Sequence, residues 1–535
     1  MIITELQQLY ATHPNVEGMC KLLKDNSVRH LYCSGLCASA ASLFSSVLVQ
    51  RAECPFVFIL GDLEEAGYFY HDLTQILGTG QVLFFPSSFR RAIKYGQKDA
   101  ANEILRTEVL SRLQKGEEGL CVVTYPDALA EKVVSRKELG DKTLKLHAGE
   151  KVDMDFVTEV LRSYGFEYVD YVYEPGQYAV RGSIIDVFSF SSEFPFRIDF
   201  FGDEVESIRT FEVESQLSKE KKEEIVIVPD LSRSLEQGGN GGMVSFLDFL
   251  RPDTLLAMRD FLWLRERIQV VHDESLTAQA IAACEAEENG AISLEGKLID
   301  GGEFTLRALD FRRMEFGTKP TGTPDATVTL STVAQPIFHK NFDLVAESFR
   351  DYLSRNYTLY ICSDSLKQTD RIRAIFEDRG DNISFTPVER TLHEGFADDT
   401  LRLCIFTDHQ LFDRFHKYNL KSDKARSGKV ALSLKELNQF TPGDYVVHTD
   451  HGVGRFTGLV RIPNGDTTQE VMRLVYQNDD VVFVSIHSLH KVSKYKGKEG
   501  EAPRLNKLGT GAWEKLKDRT KTKIKDIARD LIKLY

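Results

Sequence analysis

The stretch Leu31–Leu48 reads LYCSGLCASAASLFSSVL: an apolar strand, a short loop, then a helical run. A nucleotide-binding fold carries GxxxxGK[ST] at this point. Its glycines let backbone N–H groups approach phosphate, its lysine reaches the β/γ-phosphates and its hydroxyl ligates Mg²⁺. Here Gly35 and Ser42 match the two ends of the pattern. Ala38 and Ala40 stand where glycines belong, and Ala41 stands in place of the lysine. Methyl groups in the cradle and a missing charge predict a nucleotide fold that no longer grips phosphate, and no ATP turnover here. No other Gly-Lys pair rescues the pattern: Gly296–Lys297, Gly428–Lys429 and Gly497–Lys498 are followed by Leu298, Val430 and Glu499. VVHDES (270–275) resembles the carboxylate pair that follows a Walker B strand, but without a phosphate loop it reads as a solvated loop.

Outward from this loop, residues 1–125 alternate apolar strands (His30–Cys33, Pro55–Leu60, Gln81–Phe85, Leu120–Thr124) with amphipathic stretches such as Asn102–Leu113. Strand–helix alternation predicts a parallel α/β sheet. Residues 126–215 change to short aromatic and β-branched runs between EPG and RG turns: Tyr168–Tyr173, Tyr178–Val180, Ile184–Phe188, Phe196–Phe201 and Val205–Phe211. They predict a small, mainly antiparallel α+β insertion. Residues 216–334 return to mixed structure, with a GGNGG loop at 238–242, and complete the first module. Residues 335–416 form a further small α/β domain: helix Phe342–Leu353, strand Tyr357–Ser363, helix Ser365–Arg379, strand Leu401–Thr407. The basic, apolar-poor stretch 417–431 is an exposed linker. Residues 432–497 place strands at Tyr445–His448, Arg455–Ile462, Val471–Tyr476 and Val481–Ile486 between turns, which predicts a small barrel. Residues 498–535 close with a basic helix whose apolar stripe runs through Trp513, Leu516, Ile524, Ile527, Leu531 and Tyr535. That stripe has no Gly, Asn or Pro stop, so the natural chain is expected to continue.

Bulk properties bound the possibilities. The 535 residues allow about three to five domains. A net charge of −13 argues against a chain wrapped along nucleic acid throughout. Charge is uneven, because Lys491–Tyr535 holds 14 Lys/Arg against 6 Asp/Glu. The eight cysteines are sparse and several sit in apolar runs, with no CxxC pair. They read as reduced thiols of a cytoplasmic protein, and no metal site is expected. No secretory signal and no membrane span is present.

Two segments resemble known families. YEPGQYAVRGSIIDVFSFSSEFPFRIDFFGDEVESIRTFEVESQLS (173–218) looks like the module shared by the excision-repair protein UvrB and the transcription-repair coupling factors, which docks on UvrA. FTPGDYVVHTDHGVGRFTGL (440–459), with VVFVSIHSLHKVSKY (481–495), resembles the polymerase-interacting domain of the coupling factors and of CarD-type regulators. Their order, with the degenerate loop, matches the coupling-factor family. The implied layout is multidomain α/β and α+β. A UvrB-like, degenerate RecA-like module carries the α+β insertion, followed by a small α/β domain, a Tudor/CarD-like barrel and a helix leading to an absent motor. The resemblance implies UvrA and the RNA polymerase β subunit as partners. It places DNA contact and Mg-ATP mainly with that motor, so no cofactor is expected in this chain.

Period-two alternation in FRIDFF puts Phe196, Ile198 and Phe200 on one face and Arg197, Asp199 and Phe201 on the other. By the resemblance, Arg181, Arg197, Asp199 and Phe201 form the UvrA surface. The competing reading of the residues is an ion pair within the sheet, Arg197 with Asp199 or Asp186. Strand Arg455–Ile462 is expected to be an exposed edge that adds to a sheet of the polymerase β subunit. The contact is at Leu459, Val460, Arg461 and Ile462, with Ile462 central unless it only closes the barrel core. His448 and His451 are weak candidates for a metal pair, and Asp450–Gly454 is a turn needing positive φ. A rival assignment is a UvrB-like damage-verifying ATPase, for which Phe84–Asp99 is too short to supply the DNA-inserting hairpin. A CarD-like regulator explains only 432–497.

Overall fold

A computed structural model describes residues 1–25, 27–52, 54–88, 100–213, 216–231, 243–275, 296–418, 420, 441–464, 467–485, 492–495, 503–508 and 513. The GGNGG loop, residues 89–99 and 421–431, and the C-terminal stripe other than Trp513 lie outside these residues. The chain divides into two compact units, 1–143 with 228–423, and 144–227 with 424–535.

The first unit holds a seven-stranded sheet in the order Ala326–Thr329, His30–Ser34, Arg312–Glu315, Leu255–Met258, Phe56–Ile59, Cys121–Thr124, Val82–Phe85. Every pairing in it is parallel. Runs such as FVFI, VLFF, CVVT and LLAM are apolar at every position but Thr124, because helices cover both faces of a parallel sheet. All four are buried throughout. Helix Ala40–Arg51, which follows the loop, buries ten of its twelve residues. A second, five-stranded sheet runs Thr332–Ala334, Phe396–Asp398, Leu403–Thr407, Thr358–Ser363, Thr386–Glu389. Helices Phe342–Ser354 and Leu366–Asp378 flank it, and Phe349, Ile361, Phe376 and Phe406 fill its core. The two sheets are tied through the N-terminal helices: Tyr10 Oη donates 2.7 Å to Asp398 Oδ2, whose side chain is fully buried.

Three expectations change. Helices Pro126–Ala130 and Arg136–Asp141 belong to the first unit, so the insertion starts at Leu144 rather than 126. Leu144–His147 pairs antiparallel with Glu224–Ile227, and that pairing closes the insertion. VVHDES is no loop: it is the last part of helix Phe261–Ser275, with Val271 and Ser275 buried. The start of the expected linker is packed. Leu420 is buried, and the Tyr418 ring lies so close to Gly67 that a Cβ there would sit 2.5 Å from it.

In the second unit, a six-stranded sheet runs Ser218–Lys222, Glu204–Phe211, Phe196–Phe201, Ile184–Val187, Gln177–Arg181, Glu167–Tyr168. The expected strand Tyr168–Tyr173 shrinks to Glu167–Tyr168. One face packs Tyr178, Ile185, Val187, Phe196, Ile198, Phe200, Val205 and Ile208 against Val157 and Leu161 of helix Met154–Ser163. A separate five-stranded antiparallel sheet runs Val481–Ser485, Thr467–Val475, Gly452–Asn464, Tyr445–His448, Val492–Lys494. Its core is Val446, Phe456, Met472, Leu474, Tyr476, Val484 and Val492.

Candidate functional site

On the second face of the six-stranded sheet, register sets Asp186 opposite Arg197, and Arg197 opposite Arg209. Asp186 is fully buried. Arg197 grips it with two donors, Nε at 2.8 Å and Nη2 at 2.9 Å, and Arg181 donates to the same carboxylate. Arg197 also donates to the Gln216 carbonyl at 3.1 Å and lies over the Phe211 ring, 4.5 Å from its centroid. These bonds hold the guanidinium charged, with the Asp186 hydrogen bonds first among the causes that raise its already high pKa. Asp199 takes Arg209 and the Ser207 hydroxyl at 2.8 Å. The in-sheet ion pair weighed from the sequence therefore forms, with Asp186 and not Asp199.

The four candidates thus differ in kind. Arg197 is only 15% exposed and Asp199 is also 15%, while Arg181 and Arg209 stand at 37% and 39%. Phe201, 79% exposed at the strand's end, is the large apolar side chain this face offers. Sequence reasoning missed Arg209. The plain register of a hairpin closed at Gly202 sets 208 opposite 197; a bulge between Val205 and Ser207 shifts it by one and brings Arg209 onto the face of 197 and 199, and no residue pattern announced that bulge.

In the five-stranded antiparallel sheet, Gly452–Asn464 is not an edge along its whole length. Gly452–Arg455 pairs with Tyr445–His448 on one side, and Arg455–Asn464 pairs with Thr467–Val475 on the other. Past Gly458, among the described residues, the strand keeps one partner only. Leu459 faces Met472, Val460 faces Val471, Arg461 faces Glu470 and Ile462 faces Gln469. The four candidates thus lie on a two-stranded extension with an open backbone edge, and Leu459 is 43% exposed. Gly452 does hold φ 81°, as the turn requires. Gly454 is small for another reason: a Cβ would sit 2.9 Å from the Tyr476 ring. His448 and His451 stack at 4.6 Å. Among the described residues no group of three His, Cys, Asp or Glu is placed to hold a metal.

The degenerate loop is structurally engaged. Gly35 has φ 77°, and a Cβ on it would strike the Leu330 carbonyl at 1.9 Å. Ala38 adopts φ 47°. The N–H of Cys37 is taken by Thr332 Oγ1 at 3.1 Å, and those of Ala40 and Ala41 by the carbonyls of Cys37 and Ala38. Ser42 Oγ donates to Asp72 Oδ2 at 2.8 Å, alongside Ser39 Oγ at 2.6 Å. A cleft of about 570 Å³ adjoins the loop, lined by Ala38, Ser39, Ala41, Ser42, Asp72 and a histidine group. His409 and His416 stack at 4.5 Å, and His393 stacks on Tyr68 at 3.5 Å. Burial pushes His71, His393 and His409 down to about 4, and neighbouring imidazoles add to the shift. The sequence showed no sign of this group, whose members come from positions 71 and 393–416.

Comparison with known proteins gives two domain matches and a set of relatives. The profile of the UvrB interaction domain matches residues 144–232, the six-stranded sheet and its closing strands. The profile of the CarD-like/TRCF RID domain matches 440–496, the five-stranded antiparallel sheet. Over 94% of its length the chain is homologous to transcription-repair-coupling factors. That of Bacillus subtilis (strain 168) is 24% identical over 573 residues, and that of Staphylococcus aureus (strain NCTC 8325 / PS 47) is 24% identical over 582. The chain spans about half the length of the curated relatives it matches, 48% of each.

Proposed function

We propose that this chain is the adaptor part of a transcription-repair coupling factor, binding UvrA with one sheet and RNA polymerase with another and turning over no ATP itself. The observation that carries the reading is the pairing of two docking modules in one chain: a UvrB interaction domain at 144–232 and a CarD-like/TRCF RID domain at 440–496. The UvrA surface is the charged face of the six-stranded sheet, with Phe201 as the exposed anchor and Arg181 and Arg209 beside it. Asp186, shared with Arg197, holds Arg181 in place, and Asp199 holds Arg209. An apolar ring flanked by arginines is the composition of an interface hot spot.

The polymerase surface is the open edge at Leu459–Ile462. Its unpaired backbone groups would receive a strand of the polymerase β subunit by sheet extension. The loop at Gly35–Ser42 does not fit Mg-ATP, because it lacks the lysine, and the Ser42 hydroxyl and the N–H groups of Cys37, Ala40 and Ala41 are already engaged. ATP turnover and most DNA contact belong, on this reading, to the remainder of the longer protein, which works in the cytoplasm. No helix among the described residues is long and apolar enough to cross a membrane.

The test is a pair of pull-downs with purified UvrA and purified polymerase β subunit, together with an ATPase assay on single-stranded DNA. Retention of both partners and no ATP hydrolysis is expected. ATP hydrolysis by this chain would instead favour a UvrB-like damage-verifying enzyme.

A further inference from the structure

Asp72 lies on helix Leu63–Leu77 with its carboxylate fully buried against the degenerate phosphate loop. Three donors converge on it from three segments. Ser39 Oγ at 2.6 Å and Ser42 Oγ at 2.8 Å reach Oδ2 from the loop and the first turn of helix Ala40–Arg51. The His393 backbone N–H reaches Oδ1 at 2.7 Å from the five-stranded part of the unit. The adjacent Glu394 N–H donates to Ser39 Oγ at 3.0 Å, which extends the same network. Ser42 stands at the position whose hydroxyl ligates Mg²⁺ in a working loop. A fully buried carboxylate is costly unless several hydrogen bonds meet it, so these donors are the condition for its being there.

We infer that Asp72 is an internal anion seated where a working loop would hold its phosphate and metal, and that it latches the 335–416 domain onto the first module. The loop has thus exchanged a diffusible anion for a tethered one. The serines kept at 39 and 42 are its ligands, and the 393–394 turn is the element they hold. This role is independent of either docking surface. It also accounts for a polar loop surviving where nucleotide is not bound: Ser39 and Ser42 are both buried and both used.

Hydrogen exchange on the 535-residue chain tests it. In Asp72→Ala the His393 and Glu394 amides should exchange about tenfold faster or more, the scale of losing hydrogen bonds to a charged group. The amides of strand Cys121–Thr124 should be unchanged. Inorganic sulfate should restore protection in Asp72→Ala by filling the vacated seat, and should leave the native chain unaffected. Unaltered exchange, or accelerated exchange that sulfate does not reverse, overturns the inference. If Asp72→Ala does not fold, Asp72→Asn carries the test. Burial pushes the Asp72 carboxyl up to about 7. The neutral amide should therefore match the native chain near pH 5.5 and lose protection at His393 near pH 8.5. Identical protection at both pH values would reject the anion.

Discussion

Asp186 and Arg197 sit directly opposite each other on neighbouring antiparallel strands, joined by two hydrogen bonds of 2.8 and 2.9 Å, with the carboxylate wholly shielded from water. A buried acid held by two arginines tolerates poorly the loss of either side, because the group left behind is charged and dry. Asp186→Ala should destabilise the insertion by about 3 kcal/mol or more, read as a lowered urea midpoint. Arg197→Glu would set two carboxylates against each other. It too should unfold the sheet rather than act as a clean surface change.

Phe201 gives the cleaner probe. At 79% exposure its ring contributes little to the core. Phe201→Ala should shift stability by no more than about 0.5 kcal/mol while weakening UvrA binding at least about tenfold, the scale of an aromatic anchor. Arg209→Ala should weaken binding less and cost more stability, since it leaves the partly buried Asp199 with fewer donors. Full UvrA binding by the Phe201 variant in a titration would remove this face from the proposal.

The large divisions of the fold were legible because they rest on local pattern. Apolar runs such as FVFI and CVVT announce doubly covered parallel strands, and FRIDFF announces its two faces by alternation. What the sequence did not show depends on pairs far apart in the chain. Arg197 had two acids within reach on paper, and only strand register decides for Asp186. Asp72 meets His393 across 321 positions. The extension at Leu459–Ile462 was read as a plain edge strand because the short pairing with Tyr445–His448 has no marker in the residues around 459. The last turn of helix Phe261–Ser275 was misread because its acidic residues face solvent, while Val271 and Ser275 turn inward.

A further prediction follows from Gly454, whose missing side chain makes room for the Tyr476 ring. Gly454→Ala would place a methyl group 2.9 Å from that ring, closer than contact allows. Tyr476 is itself buried in the core of the five-stranded antiparallel sheet, so relief requires backbone movement. A loss of about 1–3 kcal/mol is expected, seen as a lowered melting temperature of that domain. By contrast, Leu459→Arg on the exposed extension should leave that temperature nearly unchanged and abolish capture of the polymerase β subunit.

Acid should loosen the first unit, and the sign follows from the histidines around the cleft. His71, His393 and His409 are held at about 4, against an ordinary value of 6.5. Between those values the unfolded chain takes up protons that the folded unit refuses. Their contribution is fully present above pH 6.5 and is lost as pH falls toward 4. Asp72 runs the other way. Its carboxyl is pushed from 3.8 up to about 7 by burial, so its contribution is present below pH 3.8 and lost as pH rises through 7. Of the groups shifted this far three oppose one, with His393 discounted for partial exposure; His13 and His416, also lowered by burial, add to the fall, and Asp408, raised by burial, works against it. Net stability should fall by up to about 2 kcal/mol per pH unit between pH 6.5 and 4. Asp364, Asp408 and Glu394 face the imidazoles and soften the fall, while Arg414 steepens it. Urea unfolding at a series of pH values measures the slope. Substituting His409→Phe, which stacks on His416 and cannot take up a proton, should flatten it by about half, and an unchanged slope would show that the acid response arises elsewhere.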